Sequence, residues 1–137
     1  MTKTYIGVKM VTAWPETKDE REGYAVKYPD GYTSWSPKEV FEAAYLEISD
    51  ASCITEDVVD DFLDSEPCDK ARMRNHGVRC FETRSKFTLA EEAACVDGAN
   101  YDVETATKLT RTKAESKVWF GLGFVLAWAR NGLRPGE

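Results

Sequence analysis

The sequence has few of the residues with which enzymes and metal proteins build their sites. It contains one histidine, His76, and four cysteines, none of them in a Cys-x-x-Cys pair. It has no glycine-rich phosphate loop and no Gly-x-Ser-x-Gly nucleophile motif. The spacing of Cys68, His76 and Cys80 is not typical of a zinc site, so we interpret the cysteines as buried free thiols. These absences favour a protein that is not an enzyme and that holds no metal or cofactor.

Long apolar runs are absent as well. No segment approaches the roughly 20 apolar residues that span a bilayer. The amino terminus, Met1–Tyr5, lacks the apolar core of a signal peptide. We therefore expect a cytoplasmic protein that does not enter a membrane. Its 137 residues, 42% hydrophobic and 31% charged, suffice for one globular domain or for two very small ones.

Negative charge is concentrated in the middle of the chain. The formal net charge is −6, but residues 1–37 are neutral overall. Residues 38–69 hold eleven carboxylates against one lysine, and residues 70–137 hold an excess of four basic groups. The overall acidity disfavours direct DNA binding, although the basic last region leaves it open. An acidic surface instead suits a basic protein partner.

The first 49 residues predict a module of three antiparallel strands and one helix. Pro29-Asp30-Gly31 predicts the turn between the second and third strands, because Pro fixes φ and Gly accepts a positive φ. Ser36, followed by Pro37, predicts the N-cap of the helix. The predicted strands, recognised from alternating apolar and aromatic residues, are Tyr5–Val11, Gly23–Tyr28 and Tyr32–Trp35.

Residues 53–132 predict a second module, and together the two modules predict an α+β fold. Thr55 is the predicted N-cap of a helix that runs from Glu56 to about Ser65. Residues 66–75 contain Pro67 and alternating charges, which predict a linker. A β-hairpin is predicted next, with His76–Thr83 and Lys86–Cys95 as its strands.

A long carboxy-terminal helix completes the second module. Asn100 lies where an N-cap is expected, and Asp102 and Glu104 place negative charge in the first turn. Apolar residues recur at helical spacing up to Trp119 and beyond. The part Trp119–Trp128 is apolar nearly all round, so we expect it to be buried in a core or in a homo-oligomer contact.

The helix after Thr55 carries the candidate protein-binding residues. Carboxylates repeat along it at the i, i+4 spacing of one helix face, where like charges repel each other. They form either a solvated face or an acidic surface for a basic partner. The residues are Glu56, Asp57, Asp60, Asp61 and Asp64.

The start of the long helix carries the candidate ligand-binding residues. A nucleotide site would use a helix N-terminus for phosphate, a basic side chain and an aromatic ring for the base. Asn100, Tyr101, Arg111 and Lys117 could supply these groups. The acids around this terminus argue against an anion there, so capping and a solvated polar face remain the alternative.

One block of the second module is specific enough to compare with known proteins. It reads Ala94-Cys95-Val96-Asp97-x-Ala99-Asn100-Tyr101-Asp102, followed by Ala114, Val118-Trp119 and Gly123-Phe124-x-Leu126. In these residues the chain resembles the gene-49/gene-66 family of small tailed-phage proteins, over roughly residues 53–128. It departs from the usual pattern at the hairpin turn, where Ser85-Lys86-Phe87 stands in place of Asn-Gly-Phe.

The first module carries a second resemblance. Tyr28-Pro29-Asp30-Gly31-Tyr32-x-Ser34-Trp35-Ser36-Pro37 and the flanking residues from Tyr5 to Phe41 are similar to an N-terminal unit of about residues 1–46. That unit is found fused to varied small phage proteins. Both resemblances imply a phage or prophage accessory protein that acts in the host cytoplasm.

Small accessory proteins of this kind often counter host defence. The resemblance therefore implies a non-enzymatic protein that binds and inhibits a host defence protein, with the acidic surface acting as a DNA mimic. A sponge that sequesters a nucleotide immune signal is the first alternative, because a hairpin and long helix in an oligomer also look like the Thoeris anti-defence sponges. A structural or adaptor phage protein is the second.

Overall fold

The computed structural model describes residues 1–63, 67 and 69–136 and has the predicted α+β fold. The chain divides into two compact units: residues 1–48 with the chain from Val125 onward, and residues 49–124. The predicted division into modules 1–49 and 53–132 stays a prediction. The elements are β1 (Thr12–Pro15), β2 (Gly23–Lys27), β3 (Thr33–Pro37), α1 (Lys38–Ala44), α2 (Glu56–Leu63), β4 (Asp69–Met73), β5 (His76–Glu82), β6 (Thr88–Ala94), a 3₁₀ turn (Gly98–Asn100) and α3 (Val103–Asn131).

The first strand of the first unit begins later than the sequence predicted. β1, β2 and β3 form the expected antiparallel meander, but Tyr5–Val11 lies outside any strand and β1 follows it. The connection to β2 is a tight hairpin in which Asp19 and Glu20 have φ angles of 50° and 64°. This turn places Thr12 opposite Lys27, the last residue of β2. The residues before Thr12 therefore run past the end of the strand with which they would pair.

Helix α1 contacts this sheet through aromatic rings. The ring centroids of Tyr24 and Phe41 are 4.4 Å apart, and those of Phe41 and Tyr45 are 4.8 Å apart. The predicted N-cap, Ser36, is wrong. Ser36 still belongs to β3, where it pairs with Tyr24. Pro37 occupies the N-cap position instead and makes no side-chain hydrogen bond there.

The opposite face of the first sheet carries two tryptophans. Trp14, Ala25 and Trp35 lie side by side across the three strands. A Cβ atom added to Gly23 would lie 2.4 Å from the Trp35 ring and 2.4 Å from a backbone oxygen of β3. Trp35 therefore packs directly on the backbone of β2, and only glycine leaves room for it at position 23.

The second unit contains a strand that the sequence did not predict. The residues predicted as a linker include β4, which pairs antiparallel with β5. A two-residue turn at Arg74 and Asn75 joins the two strands, and Arg74 has a φ angle of 57°. All five residues of β4 are exposed at the edge of the sheet, so the strand has no buried apolar face to reveal it. The predicted hairpin is confirmed as β5 and β6.

Helix α3 lies on the second sheet through a stripe of small residues. The Nζ atom of Lys113 donates a hydrogen bond to the carbonyl of Glu92 in β6 (2.5 Å), and Lys117 pairs with the Glu91 carboxylate. The sheet turns Arg79 and Phe81 of β5 toward the interior, where they are 4% and 1% exposed. The buried stripe of the helix consists of Ala106, Thr110, Ala114 and Val118.

The apolar stretch Trp119–Trp128 is only partly buried within one chain. Leu122 and Leu126 are each 8% exposed, whereas Phe120 and Phe124 are 77% and 66% exposed. The expected homo-oligomer contact stays a prediction. Among the described residues, no helix combines the length and the apolar character that crossing a bilayer requires.

Candidate functional site

The predicted acidic surface lies on α2. Val58, Val59 and Leu63 are buried on one side of this helix, which fixes its orientation. The carboxylates on the other side are exposed. Asp64 lies outside the described residues. The described members of the acidic surface are Glu56, Asp57, Asp60 and Asp61.

Two of these four carboxylates are engaged by neighbours. The hydroxyl of Thr55 donates a hydrogen bond to Asp57, and this bond lowers the pKa of Asp57 below its usual value. Asp61 pairs with the guanidinium of Arg84 at 2.5 Å. Within the described part of the chain, Glu56 and Asp60 have no ion-pair partner, so they are the two carboxylates that face solvent unengaged.

The residue that caps α3 is not the predicted one. Asn100 ends the 3₁₀ turn, and the prediction that it caps the helix is wrong. Asp102 caps it instead, because its carboxylate accepts hydrogen bonds from the Glu104 amide (3.2 Å) and the Thr105 hydroxyl (2.6 Å). The Thr105 bond, followed by the Glu104 amide, lowers the pKa of Asp102. The N-terminus of α3 is therefore already occupied by a negatively charged group of the chain itself, the Asp102 carboxylate.

The four predicted ligand-binding residues do not form one cluster. Asn100 and Tyr101 are adjacent, but Arg111 pairs with Glu115 on its own helix at 3.0 Å. Lys117 pairs with Glu91 of β6. Since a helix rises about 1.5 Å per residue, Lys117 lies roughly 20 Å along the axis from the first turn of α3. Both basic side chains therefore form ion pairs within the second unit.

Tyr101 instead meets two arginines of the sheet. The Arg72 guanidinium carbon lies 4.2 Å from the centroid of the Tyr101 ring, a cation–π arrangement. The Nη1 atom of Arg79 donates to the Tyr101 hydroxyl at 3.4 Å. A Cβ atom added to Gly77 would lie 1.8 Å from that hydroxyl oxygen. Glycine at position 77 thus lets the tyrosine lie across β5 and reach Arg79.

The sequence did not point to Arg72, because a linker was predicted where β4 lies. It did not point to Arg79 either, because the strand beside β5 on that side is β4 itself. The available signal was the period-2 spacing of Lys70 and Arg72, which puts both on one face of a strand. Arg72 is anchored by donating to the carbonyl of Gly98 at 3.1 Å. The arginines therefore belong to the same structural neighbourhood as the predicted Tyr101.

Metal-ligand side chains are not gathered anywhere in the described residues in groups of three or more. His76 and Cys80 both lie on β5. Cys68, the third member of this spacing, lies outside the described residues. Cys80 and Cys95 are partly buried, but Cys53 is exposed in the loop before α2, so the prediction of a buried thiol is wrong for Cys53.

The comparisons with known proteins match this part of the chain. Residues 54–129 match the model of a family described as phage protein (N4 Gp49/phage Sf6 gene 66). The matched region contains α2, the second sheet and nearly all of α3. No curated protein and no solved structure matches the chain at a significant level.

Proposed function

This chain belongs to the phage protein (N4 Gp49/phage Sf6 gene 66) family, and from that premise we propose that it is a non-enzymatic accessory protein that counters a host defence. It acts by binding and inhibiting a host protein in the host cytoplasm. The binding surface is the exposed side of α2, and the partner presents a basic face such as one that ordinarily binds nucleic acid.

The observation that carries the proposal is the pair Glu56 and Asp60. They lie one turn apart on the same side of α2, about 5–6 Å between Cβ atoms, and both are exposed. The buried residues Val58, Val59 and Leu63 fix the orientation of the helix. A repeated negative charge on a helix face of fixed orientation is what mimicry of a nucleic acid backbone requires.

The test reverses only the two unengaged carboxylates. In E56K/D60K the Asp57 and Asp61 contacts remain, so the fold is retained while the surface charge changes by +4. We expect this variant to lose the ability to restore plating of a defence-sensitive phage. We also expect at least about tenfold weaker capture of a host protein, since like charges then face each other across the interface.

The matched control is E47K/E82K, which makes the same change in charge at exposed positions outside α2. It should behave as the unmodified protein in plating and in capture. Circular dichroism and thermal melting establish that both variants fold. Full activity of E56K/D60K would refute the proposal that the acidic surface binds the host protein. An equal loss of plating and capture in both variants would show that only the net charge of the protein matters.

The contact of Tyr101 with Arg72 favours a second candidate, a sponge for a nucleotide signal. An aromatic ring beside arginines is the combination that binds a base and its phosphate. A phosphorylated small molecule that co-purifies with the chain in place of a protein would favour this candidate. Co-purification of neither would favour a structural or adaptor role in the phage.

A further inference from the structure

Three basic side chains share one face of the second sheet. Lys70 of β4 lies directly opposite Arg79 of β5, and Arg72 lies opposite Gly77. Side chains at directly opposed positions point to the same face, and positions two apart on one strand do so as well. Lys70, Arg72 and Arg79 therefore form a cationic row, next to the Tyr101 hydroxyl that Arg79 contacts.

This cationic row is unfavourable for the protein by itself. Like charges directly opposite each other on neighbouring strands destabilise a sheet, and Lys70 and Arg79 are such a pair. Arg79 is only 4% exposed, and a buried charge is costly unless its hydrogen-bonding groups are satisfied. Among the residues that the structure describes, its buried Nε atom has no hydrogen-bond partner.

The neighbouring carboxylate does not balance the row. Glu91 of β6 lies opposite Arg79, but it already pairs with Lys117 of α3. Lys70 has no carboxylate within ion-pair distance in the described ranges of the chain. Among the described residues the Glu91 Oε1 atom, although it is ion-paired with Lys117, is likewise buried without a hydrogen-bond partner. One carboxylate nevertheless faces the three cations of the row, so the face carries more positive than negative charge. The unsatisfied Arg79 Nε lies at its buried end and an exposed edge strand at the other.

We propose that the cationic row of Lys70, Arg72 and Arg79 binds the phosphate group of a small phosphorylated ligand. A phosphate carries up to two negative charges and several acceptor oxygens, which match two planar guanidinium groups and one ammonium group. The Tyr101 hydroxyl accepts from Arg79 and so keeps its own proton to donate to a phosphate oxygen. The row is separate from the acidic surface of α2 and does not depend on a protein target.

The experiment uses Lys70→Gln, an exposed position whose change does not remove a buried group. In phosphate-free buffer this variant should melt at or above the temperature of the unmodified protein, because it relieves the repulsion between Lys70 and Arg79. With inorganic phosphate the order should reverse, since the unmodified protein gains stability in proportion to its binding. By titration calorimetry, Lys70→Gln should bind phosphate about tenfold more weakly, the loss of one charge-assisted contact.

The control is Lys27→Gln, which removes an exposed lysine from a strand of the first unit. It should bind phosphate as the unmodified protein does. Sodium chloride at matched ionic strength separates phosphate binding from screening. Inorganic phosphate and adenosine monophosphate, titrated in parallel, distinguish a free anion from a nucleotide as the source of the group.

Two results would overturn the proposal that the cationic row binds phosphate. One is the absence of any stabilisation by either phosphate compound beyond that of sodium chloride. The other is equal phosphate binding by the unmodified protein and Lys70→Gln. E56K/D60K should keep phosphate binding, so failure of this site and failure of the acidic surface are separate outcomes.

Discussion

The described part of this chain forms two antiparallel sheets with the same consecutive strand order, and their packed faces differ in chemistry. The first sheet is covered by the stacked rings of Tyr24, Phe41 and Tyr45. The second buries charged Arg79 and Glu91 beside the apolar core. Stacked rings stabilise a fold without selecting a ligand, whereas buried charges cost free energy and are concentrated at binding sites. The second sheet is therefore where we propose a binding site.

Glycine substitutions test how rigid the two faces are and have the largest expected effect. Gly23→Ala should lower the free energy of unfolding by about 3 kcal/mol, because the new Cβ meets the Trp35 ring and a strand backbone that cannot move aside. Gly77→Ala should cost less, about 1–2 kcal/mol, because its main obstacle is the far end of the Tyr101 side chain, which can rotate away. Urea denaturation measures both values.

Gly121→Ala provides the control for these two substitutions. Its added Cβ would meet nothing within 4 Å, and alanine favours a helix, so stability should rise by about 0.5–1 kcal/mol. A larger loss of unfolding free energy in Gly77→Ala than in Gly23→Ala would contradict this difference between the two sheets. It would mean that Tyr101 is held as rigidly as Trp35.

The hairpin turns of the two sheets also differ, and substitutions there should change the free energy of unfolding by less than the glycine substitutions do. The β2–β3 turn has Gly31 at a φ angle of 91°, while the β5–β6 turn has Lys86 at 68°. A residue with a Cβ is strained in this conformation. Lys86→Gly should therefore raise the free energy of unfolding by about 1 kcal/mol, and Gly31→Ala should lower it. Thermal melting checks both, and a destabilised Lys86→Gly would show that the lysine side chain stabilises the turn.

The helix caps give the smallest effect, and it depends on pH. α1 has no side-chain cap, whereas Asp102 caps α3 through Thr105 and Glu104. These bonds lower the pKa of Asp102 below its ordinary 3.8, so the cap stabilises the fold above that pH and is lost as pH falls through the lower folded value. Asp102→Ala should melt below the unmodified protein at pH 7.

At pH 2–3, the end of the acid titration of a carboxylate, the melting temperatures of Asp102→Ala and the unmodified protein should converge. Asn100→Ala is the matched control at the residue that the sequence favoured as the cap. It should leave the pH dependence unchanged. A pH-dependent effect in Asn100→Ala instead would contradict the assignment of Asp102.

The elements that could be predicted are those in which one local signal decides the structure. The helix after Thr55 was predicted with its correct first residue, Glu56. The two hairpin strands were predicted from alternating residues, and this signal is reliable there because each strand buries one face. β1 was misplaced because its position depends on the turn at Asp19 and Glu20, where two ordinary residues adopt positive φ angles. β4 was missed because an exposed edge strand has no buried face to impose alternation.

Individual residues of the candidate site could be predicted from the sequence, but their neighbours in space could not. Tyr101 and the acids of α2 were proposed from composition and spacing, and their roles stay predictions. The long helix was predicted to begin within two residues of its actual N-cap, Asp102. The neighbours of Tyr101 could not be foreseen, because they depend on β4 lying beside β5 and on the absence of a side chain at Gly77. Arg111 and Lys117 looked available as ligand residues because their acidic partners, Glu115 and Glu91, are assigned only by the fold.

The exposure of β4 has a consequence for how copies of this chain behave in concentrated solution. An edge strand offers unpaired backbone N–H and C=O groups on its outer side, to which a strand of another molecule can add. Lys70 and Arg72 oppose that addition, because a second copy aligned with β4 would bring its own cations against them. Positive charge on this edge thus protects the protein from aggregation, and a ligand that neutralises it would remove part of that protection.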